Sequence, residues 1–292
     1  MSIALQVALV MVTILVVLLV IGAPIGVAIG MSSAVSMICM IPADVSFATS
    51  AQRIFAGSNS FSLIAIPFFI LAGNIMNNGG IATRLVNCAK VISGRMPGAL
   101  AQSNVVANML FGAISGSGAA AAAAMGGTIG PLEEKEGYDK NYSTAVNVAS
   151  APVGMLIPPS NTMIVYSSVA GSVSIAALFM AGYIPGLLWG GAVMILAGIM
   201  AKKRGYQAEQ RVPVKVALKT FWQAIPSLLL IVIVIGGILG GIFTATEGSA
   251  IAVVYATVLS LIYKAFKIKD IPRIVLEAAK TTGIITFMIG LS

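Results

Sequence analysis

Between Gly112 and Thr162 the chain carries two helix-breaking clusters, GAISGSG and PVGMLIPPSNT, inside sequence otherwise apolar enough to cross a bilayer. Backbone polar groups cannot stay unpaired in hydrocarbon, so irregular backbone at membrane depth survives only where protein buries it or a cavity receives it. Such breaks are where transporters place their sites, because unwound carbonyls and half-helix ends coordinate Na⁺ and meet anionic groups. These clusters therefore limit the fold to a helical bundle built around an internal site.

The rest of the composition agrees. Hydrophobic residues make up 58% of the 292 and charged residues 9%, with a mean hydropathy of +1.00, against roughly 25% charged in a soluble domain. At about 20 residues per crossing helix, the length suits an all-α polytopic membrane protein with no separate enzyme domain. The net charge of +8 is not a nucleic-acid signal, since the basic residues cluster at the ends of apolar spans, as topology signals do. Histidine is absent, which removes the commonest metal ligand and proton shuttle. Cys39 and Cys88 have no metal-ligand spacing and are expected as two buried free thiols.

The first apolar run, Ile3 to Val20, lacks a basic leader segment and is read as a helix, not a signal peptide. Gly22-Ala23-Pro24 divides residues 3–42 into two crossings, because proline stops the first. Residues 43–60 are expected to form a polar loop, followed by a crossing from Phe61 to Met76. Residues 82–94 place Leu85, Cys88, Ala89 and Ile92 on one face, the pattern of a helix lying in the interface. Two short apolar arms, 98–114 and 119–132, joined by GSG and closed by the charged segment EEKEGYDK, predict a re-entrant hairpin. That segment, with Glu133, Glu134, Glu136, Asp139, Lys135 and Lys140, is expected to be solvated. Half-helices 142–157 and 160–169 flank Pro158-Pro159. A crossing from Ser174 to Met200, kinked at Pro185, leads to a charged connector reaching Lys219. Crossings at 221–242 and 246–263 follow, then a basic surface segment from Lys264 to Arg273.

With the amino terminus outside, sixteen of the seventeen basic residues fall on one face and Arg53 alone on the other, as the positive-inside rule asks. Treating 98–137 as a single crossing would break that pattern. A basic segment, Pro97 and an arm ending FGAIS are echoed by a basic segment, Pro272 and an arm ending MIGLS at Ser292, the order expected of an inverted repeat. The chain is then expected to hold one repeat and the opening of a second, with further residues beyond Ser292. The implied division is 1–95 (first scaffold helices and interfacial helix), 96–172 (hairpin and broken helix of a transport domain), 173–275 (scaffold helices and start of the second repeat) and 276–292 (start of a second hairpin).

Ser115 and Ser117 supply hydroxyls beside Gly116 and Gly118, which admit backbone conformations other residues resist, and such hard oxygens suit a hard cation. Close helix packing by small residues is the competing reading, and it suits Ala119 to Ala124. Prolines 158 and 159 leave carbonyls near Gly154, Ile157 and Pro159 free. Ser160-Asn161-Thr162 then opens the next half-helix with a capping residue at a positive dipole end, an anion site in outline. A capped proline kink is the structural alternative. Thr244 and Glu247 fit a capping box. No acid lies mid-span, which argues against a carboxylate proton pump, and no P-loop pattern occurs.

Three stretches, SGSGAAAAAAMGGTIGPLEEKEGYD, ASAPVGMLIPPSNTMIVYSSVAGSVSIAALFMAGYIPGLLWG and GGIFTATEGSAIAVVYA, together resemble the large membrane subunit of TRAP transporters, the tripartite ATP-independent periplasmic family. The resemblance covers essentially the whole chain. It implies an inverted-repeat, elevator-type secondary transporter with re-entrant hairpins and broken helices. It further implies Na⁺-driven, ATP-independent uptake of an organic acid across the bacterial inner membrane. A periplasmic binding protein delivers the acid, and a small four-helix membrane subunit enlarges the scaffold. Carried over by position, the family's first sodium site falls on Ser115, Ser117, Gly154, Ile157 and Pro159, with Ser160, Asn161 and Thr162 toward the substrate. A second sodium site would lie beyond Ser292. A stand-alone sodium/dicarboxylate symporter and a non-transporting scaffold subunit remain the alternatives.

Overall fold

The computed structural model describes residues 3–171, 173–206 and 213–291. Among them the regular structure is helical, as backbone pairing inside a bilayer demands. Among the described residues, five helical segments are long and apolar enough to cross a membrane: Phe61–Asn78, Ile175–Arg204, Val214–Leu239, Ala245–Ile262 and Ile271–Leu291. A sixth is formed if the pair Lys140–Leu156 and Asn161–Ala170, bent by 51°, is one broken span. The chain is a multi-pass, all-α membrane protein.

Contacts divide it into two compact units. The first, residues 1–63 with 280–292, holds α1 (Ile3–Val20), α2 (Ile25–Ile38), α3 (Ala43–Ser58) and the later part of α15 (Ile271–Leu291). The two crossings expected over 3–42 are short: α2 has 14 residues, about 21 Å at 1.5 Å per residue, less than the hydrocarbon thickness of ~30 Å. The loop expected at 43–60 is instead helix α3. Pro42 precedes it and Asp44 lies in its first turn, where a carboxylate complements the helix dipole; polar composition masked that start. Cys39, expected to be buried, is exposed at the end of α2, whereas Cys88 is buried.

The second unit, residues 64–279, contains α4 (Ala65–Asn78), α5 (Ile81–Ser93), α6 (Ala99–Ser115), α7 (Gly118–Thr128), α8 (Gly130–Lys135), α9 (Lys140–Ser150), α10 (Val153–Leu156), α11 (Asn161–Ala170), α12 (Ile175–Arg204), α13 (Val214–Leu239) and α14 (Ala245–Ile262). Its core is built around α6, whose Leu100, Val105 and Phe111 are buried with Val86 of α5 and Met125 of α7. Helix α5 buries Leu85, Cys88 and Ala89 while Ile92 is exposed, and α6 and α13 cover its inner face. The face carrying Leu85, Cys88 and Ala89 is thus turned to protein. Helix α13 begins at Val214, earlier than the expected Phe221, because Pro213 stands just before it with φ already set for a helical start. Lys215 and Lys219 thus belong to a helix. Connector residues 207–212 and Ser292 at the end of the second arm lie outside the described residues.

Three side chains tie α12 to the hairpin and the broken helix. Gln102 Nε2 donates to the Met194 carbonyl at 2.8 Å, the Tyr142 hydroxyl to the Ala197 carbonyl at 2.8 Å, and Trp189 Nε1 to the Ala149 carbonyl at 3.0 Å. At the basic end, Tyr138 stacks on Tyr206 with ring centroids 4.3 Å apart. Asp139 caps α9 by accepting from the Tyr142 backbone N–H at 2.9 Å and pairs with Arg204 at 2.9 Å.

The backbone bond from Tyr142, and then Arg204, hold the Asp139 carboxyl below the ordinary aspartate value. A depressed folded pKa means stability that is present above the unfolded value of about 3.9 and lost as pH falls below it. Asp139→Ala is therefore expected to lower the melting temperature in neutral detergent solution, with the difference from wild type shrinking at about pH 3. A difference that stays constant with pH would remove Asp139's charge from the account.

Candidate functional site

Helix α6 ends at Ser115 because Gly116 takes φ +61°, a left-handed conformation that glycine adopts without strain. Ser117 then starts α7 as its N-cap, accepting from the Ala120 N–H at 3.3 Å. The expected hairpin is thus formed, and the Ser117 hydroxyl already serves a helix end. Ser115 is buried; a β-carbon built on Gly73 of α4 would lie 3.0 Å from the Ser115 Cα, so α4 presses on one side of the tip.

Elementary chain chemistry explains the second break. In a continuous helix the carbonyls of Gly154 and Met155 would receive the N–H groups four residues on, but these are Pro158 and Pro159, which have none. The Met155 carbonyl is claimed by the Ser160 hydroxyl. Among the described residues, no backbone hydrogen bond outside the helices ends on the carbonyls of Gly154, Ile157 or Pro159. Ser160 is completely buried and caps α11 by accepting from the Met163 N–H at 3.4 Å. Its hydroxyl is thus fully engaged in holding the break open.

The two breaks meet. A β-carbon on Gly116 would lie 2.9 Å from the Asn161 backbone nitrogen and 3.0 Å from its side-chain amide. Asn161 Nδ2 donates to the Ser115 carbonyl over a long 3.4 Å, while Asn161 Oδ1 is buried without a hydrogen-bond partner. One turn earlier the backbones of α6 and α10 touch at Gly112 and Gly154, where a β-carbon on Gly154 would fall 2.3 Å from the Gly112 Cα. Ile157 turns its side chain to Gly186 of α12, leaving only its carbonyl for any ligand. Thr162 is exposed. The structure therefore joins Ser115, Gly116 and Asn161 at one point and sets Gly154 against the same arm, with Ser117 and Ser160 occupied as caps.

A buried polar ladder below this point escaped the sequence reading. Asn147 Nδ2 donates to the Ala122 carbonyl at 2.8 Å. The two N–H groups of Asn108 Nδ2 serve three side-chain oxygens, Asn104 Oδ1 at 2.9 Å, Ser150 Oγ at 2.8 Å and Asn147 Oδ1 at 3.0 Å, so one N–H is shared. Asn104 and Asn108 lie four apart on one helix face, and two amides so placed in an apolar arm are the signal that could have revealed it.

Two helix breaks that meet inside a multi-pass helical bundle are the arrangement in which membrane transport proteins place their sites. The family model "Tripartite ATP-independent periplasmic transporter, DctM component" matches residues 12–292, and the chain belongs to that family. It is 50% identical over 261 residues to an uncharacterized protein, YgiK, of Salmonella typhimurium, covering 89% of this chain and 60% of that protein. It is 37% identical to the C4-dicarboxylate TRAP transporter large permease protein DctM of Rhodobacter capsulatus, covering 82% of this chain and 58% of the relative. To the sialic acid TRAP transporter large permease protein SiaM of Vibrio cholerae the identity is 38%, covering 82% and 56%. The chain thus spans somewhat over half the length of these relatives.

Proposed function

We propose that this chain is the large permease part of a sodium-driven system for uptake of an organic acid in the bacterial inner membrane. A periplasmic binding protein delivers the acid, and a small membrane subunit partners the permease. The observation that carries the reading is the meeting of the two breaks, where the buried, unpartnered Asn161 Oδ1 stands beside Ser115 and, among the described residues, the carbonyls of Gly154, Ile157 and Pro159 accept no backbone bond outside the helices. Neutral oxygens of this kind suit Na⁺, a hard cation. Asn161 and Thr162, at the amino end of α11, offer N–H groups and a positive dipole end to a carboxylate. The names of the relatives, which carry C4-dicarboxylates and sialic acid, support an organic acid as cargo. An elevator movement, in which hairpin and broken helix travel together, follows from the family resemblance.

Uptake of labelled organic acids into proteoliposomes holding the full-length permease and its small partner, with and without the binding protein, tests this reading. Uptake that needs both an inward Na⁺ gradient and the binding protein is expected. Ser115→Ala with Ser117→Ala is expected to raise the half-saturating Na⁺ concentration about tenfold or more, because a hydrogen bond or ligand to a charged group is worth ~1.5–3 kcal/mol. An unchanged sodium dependence would refute the site. Uptake without the binding protein would instead select a stand-alone symporter, and none under any condition a scaffold subunit.

A further inference from the structure

The charged turn EEKEGYDK is only partly solvated. Glu133 is buried to 1% exposure, because α8 folds back so that α6, α7 and α9 all pack against it. It stands at a cavity of ≈ 350 Å³ lined by Asn104, Glu134, Tyr138, Lys140 and Ser143 among others. Three buried polar atoms there lack hydrogen-bond partners: Glu133 Oε1, Asn104 Nδ2 and Ser143 Oγ. Asn104 is itself 1% exposed.

The ladder fixes what Asn104 offers. Asn147 spends its amide N–H on the Ala122 carbonyl, so its oxygen must accept from Asn108. Asn108 in turn donates to Asn104 Oδ1. The Asn104 oxygen is thereby used, and its N–H group is left at the Glu133 end. Turning any one amide over would set oxygen against oxygen or N–H against N–H. A free amide N–H and a nearby lysine ammonium disfavour a metal cation, whereas a carboxyl in such a cavity takes a proton.

We propose that Glu133 is a proton-binding site at the base of the hairpin, and that the Asn104, Asn108 and Asn147 ladder carries its charge state toward the Ser115 tip. When ionised, the carboxylate draws on the Asn104 N–H and the Ser143 hydroxyl; when neutral, it releases them. The titratable and charged groups facing it are Glu134 on its own helix, Tyr138 on the following turn, and Lys140 and Tyr142 on α9. Helices α6 and α7 turn only Asn104 and Gly126 to the cavity. Burial pushes the carboxyl above the ordinary glutamate range, and Ser143 and Asn104 pull it partly back.

A folded pKa raised by burial means that the neutral form's stabilising contribution is complete below the unfolded value and is lost as pH rises through the folded one. Melting temperature against pH, measured on the purified full-length protein, reads this directly. Glu133→Gln, neutral at every pH, is expected to melt above wild type in alkaline solution, with the gap closing on acidification. Infrared difference spectra between alkaline and acid samples are expected to show a carboxylic-acid band in wild type that Glu133→Gln lacks. Should that variant fail to fold, Ser143→Ala, which removes a group that favours the ionised form, is expected to move the wild-type midpoint upward in pH. Parallel melting profiles with no lost band, or an unmoved midpoint in Ser143→Ala, would overturn the site.

The link to the tip rests on the sodium reading. Acidifying the basic-residue face is expected to shift the half-saturating Na⁺ concentration in wild type and not in Glu133→Gln. A shift that persists in the variant overturns the link. Loss of the sodium reading itself would show separately, as an unaltered Na⁺ dependence in the Ser115→Ala, Ser117→Ala protein.

Discussion

Gly154→Ala is expected to abolish most uptake and to lower the melting temperature, although it keeps the carbonyl proposed to meet the ion. The added β-carbon would stand 2.3 Å from the Gly112 Cα, 2.7 Å from the Gly112 carbonyl carbon and 3.0 Å from the Asn108 carbonyl oxygen. All three are backbone atoms, which cannot swing aside as a flexible side chain would. Overpacking costs ~1–3 kcal/mol and occasionally more, and with backbone on both sides the upper part of that range applies. Gly112→Ala meets the same obstacle from the other helix, its β-carbon falling 2.5 Å from the Gly154 Cα. Gly127→Ala and Gly191→Ala are the controls, since nothing lies within 4 Å of the added carbon. Alanine in an open helix position is worth up to about 1 kcal/mol over glycine. A Gly154→Ala protein with wild-type melting and uptake would show that the close approach has no role.

Asn108→Asp is expected to be the most damaging isosteric change in the hairpin. The amide nitrogen contacts four oxygens, the side-chain oxygens of Asn104, Asn147 and Ser150 and the Asn147 carbonyl; aspartate would put a fifth oxygen among them and, when ionised, a buried charge. Each stranded buried acceptor costs ~1–3 kcal/mol, and an unpaired charge costs more. Asn108→Ala loses the same bonds without the repulsion, so thermal stability should fall in the order wild type, Asn108→Ala, Asn108→Asp. Melting curves of the three proteins check the order. Aspartate at or above alanine would mean that the ladder runs with the opposite polarity.

The breaks were legible because their cause is local. A proline withholds its N–H wherever it stands, and Pro158-Pro159 therefore announces which carbonyls lose partners. The Thr244 and Glu247 capping box, formed as expected with both reciprocal bonds, is local in the same sense. Glu133 was not legible as a buried group, since only the return of α8 onto α6 and α9 removes it from water. A hint was available: Ile129 lies four residues earlier and is buried with it, so both share one helical face. The surrounding run of charge concealed that phase. Helix α3 was hidden differently, by a composition that suits a loop as well as a surface helix whose Val45, Phe47 and Phe55 are exposed.

Besides the Arg204–Asp139 pair, three bonds between α12 and its neighbours end on main-chain carbonyls, at Met194 and Ala197 of α12 itself and at Ala149 of α9. Carbonyls of this sort sit at fixed heights along a helix, so the bonds act like pins through a rod, spaced along its length and preventing it from sliding. Any displacement of α6 or α9 along its axis would therefore be felt along the thirty residues of α12.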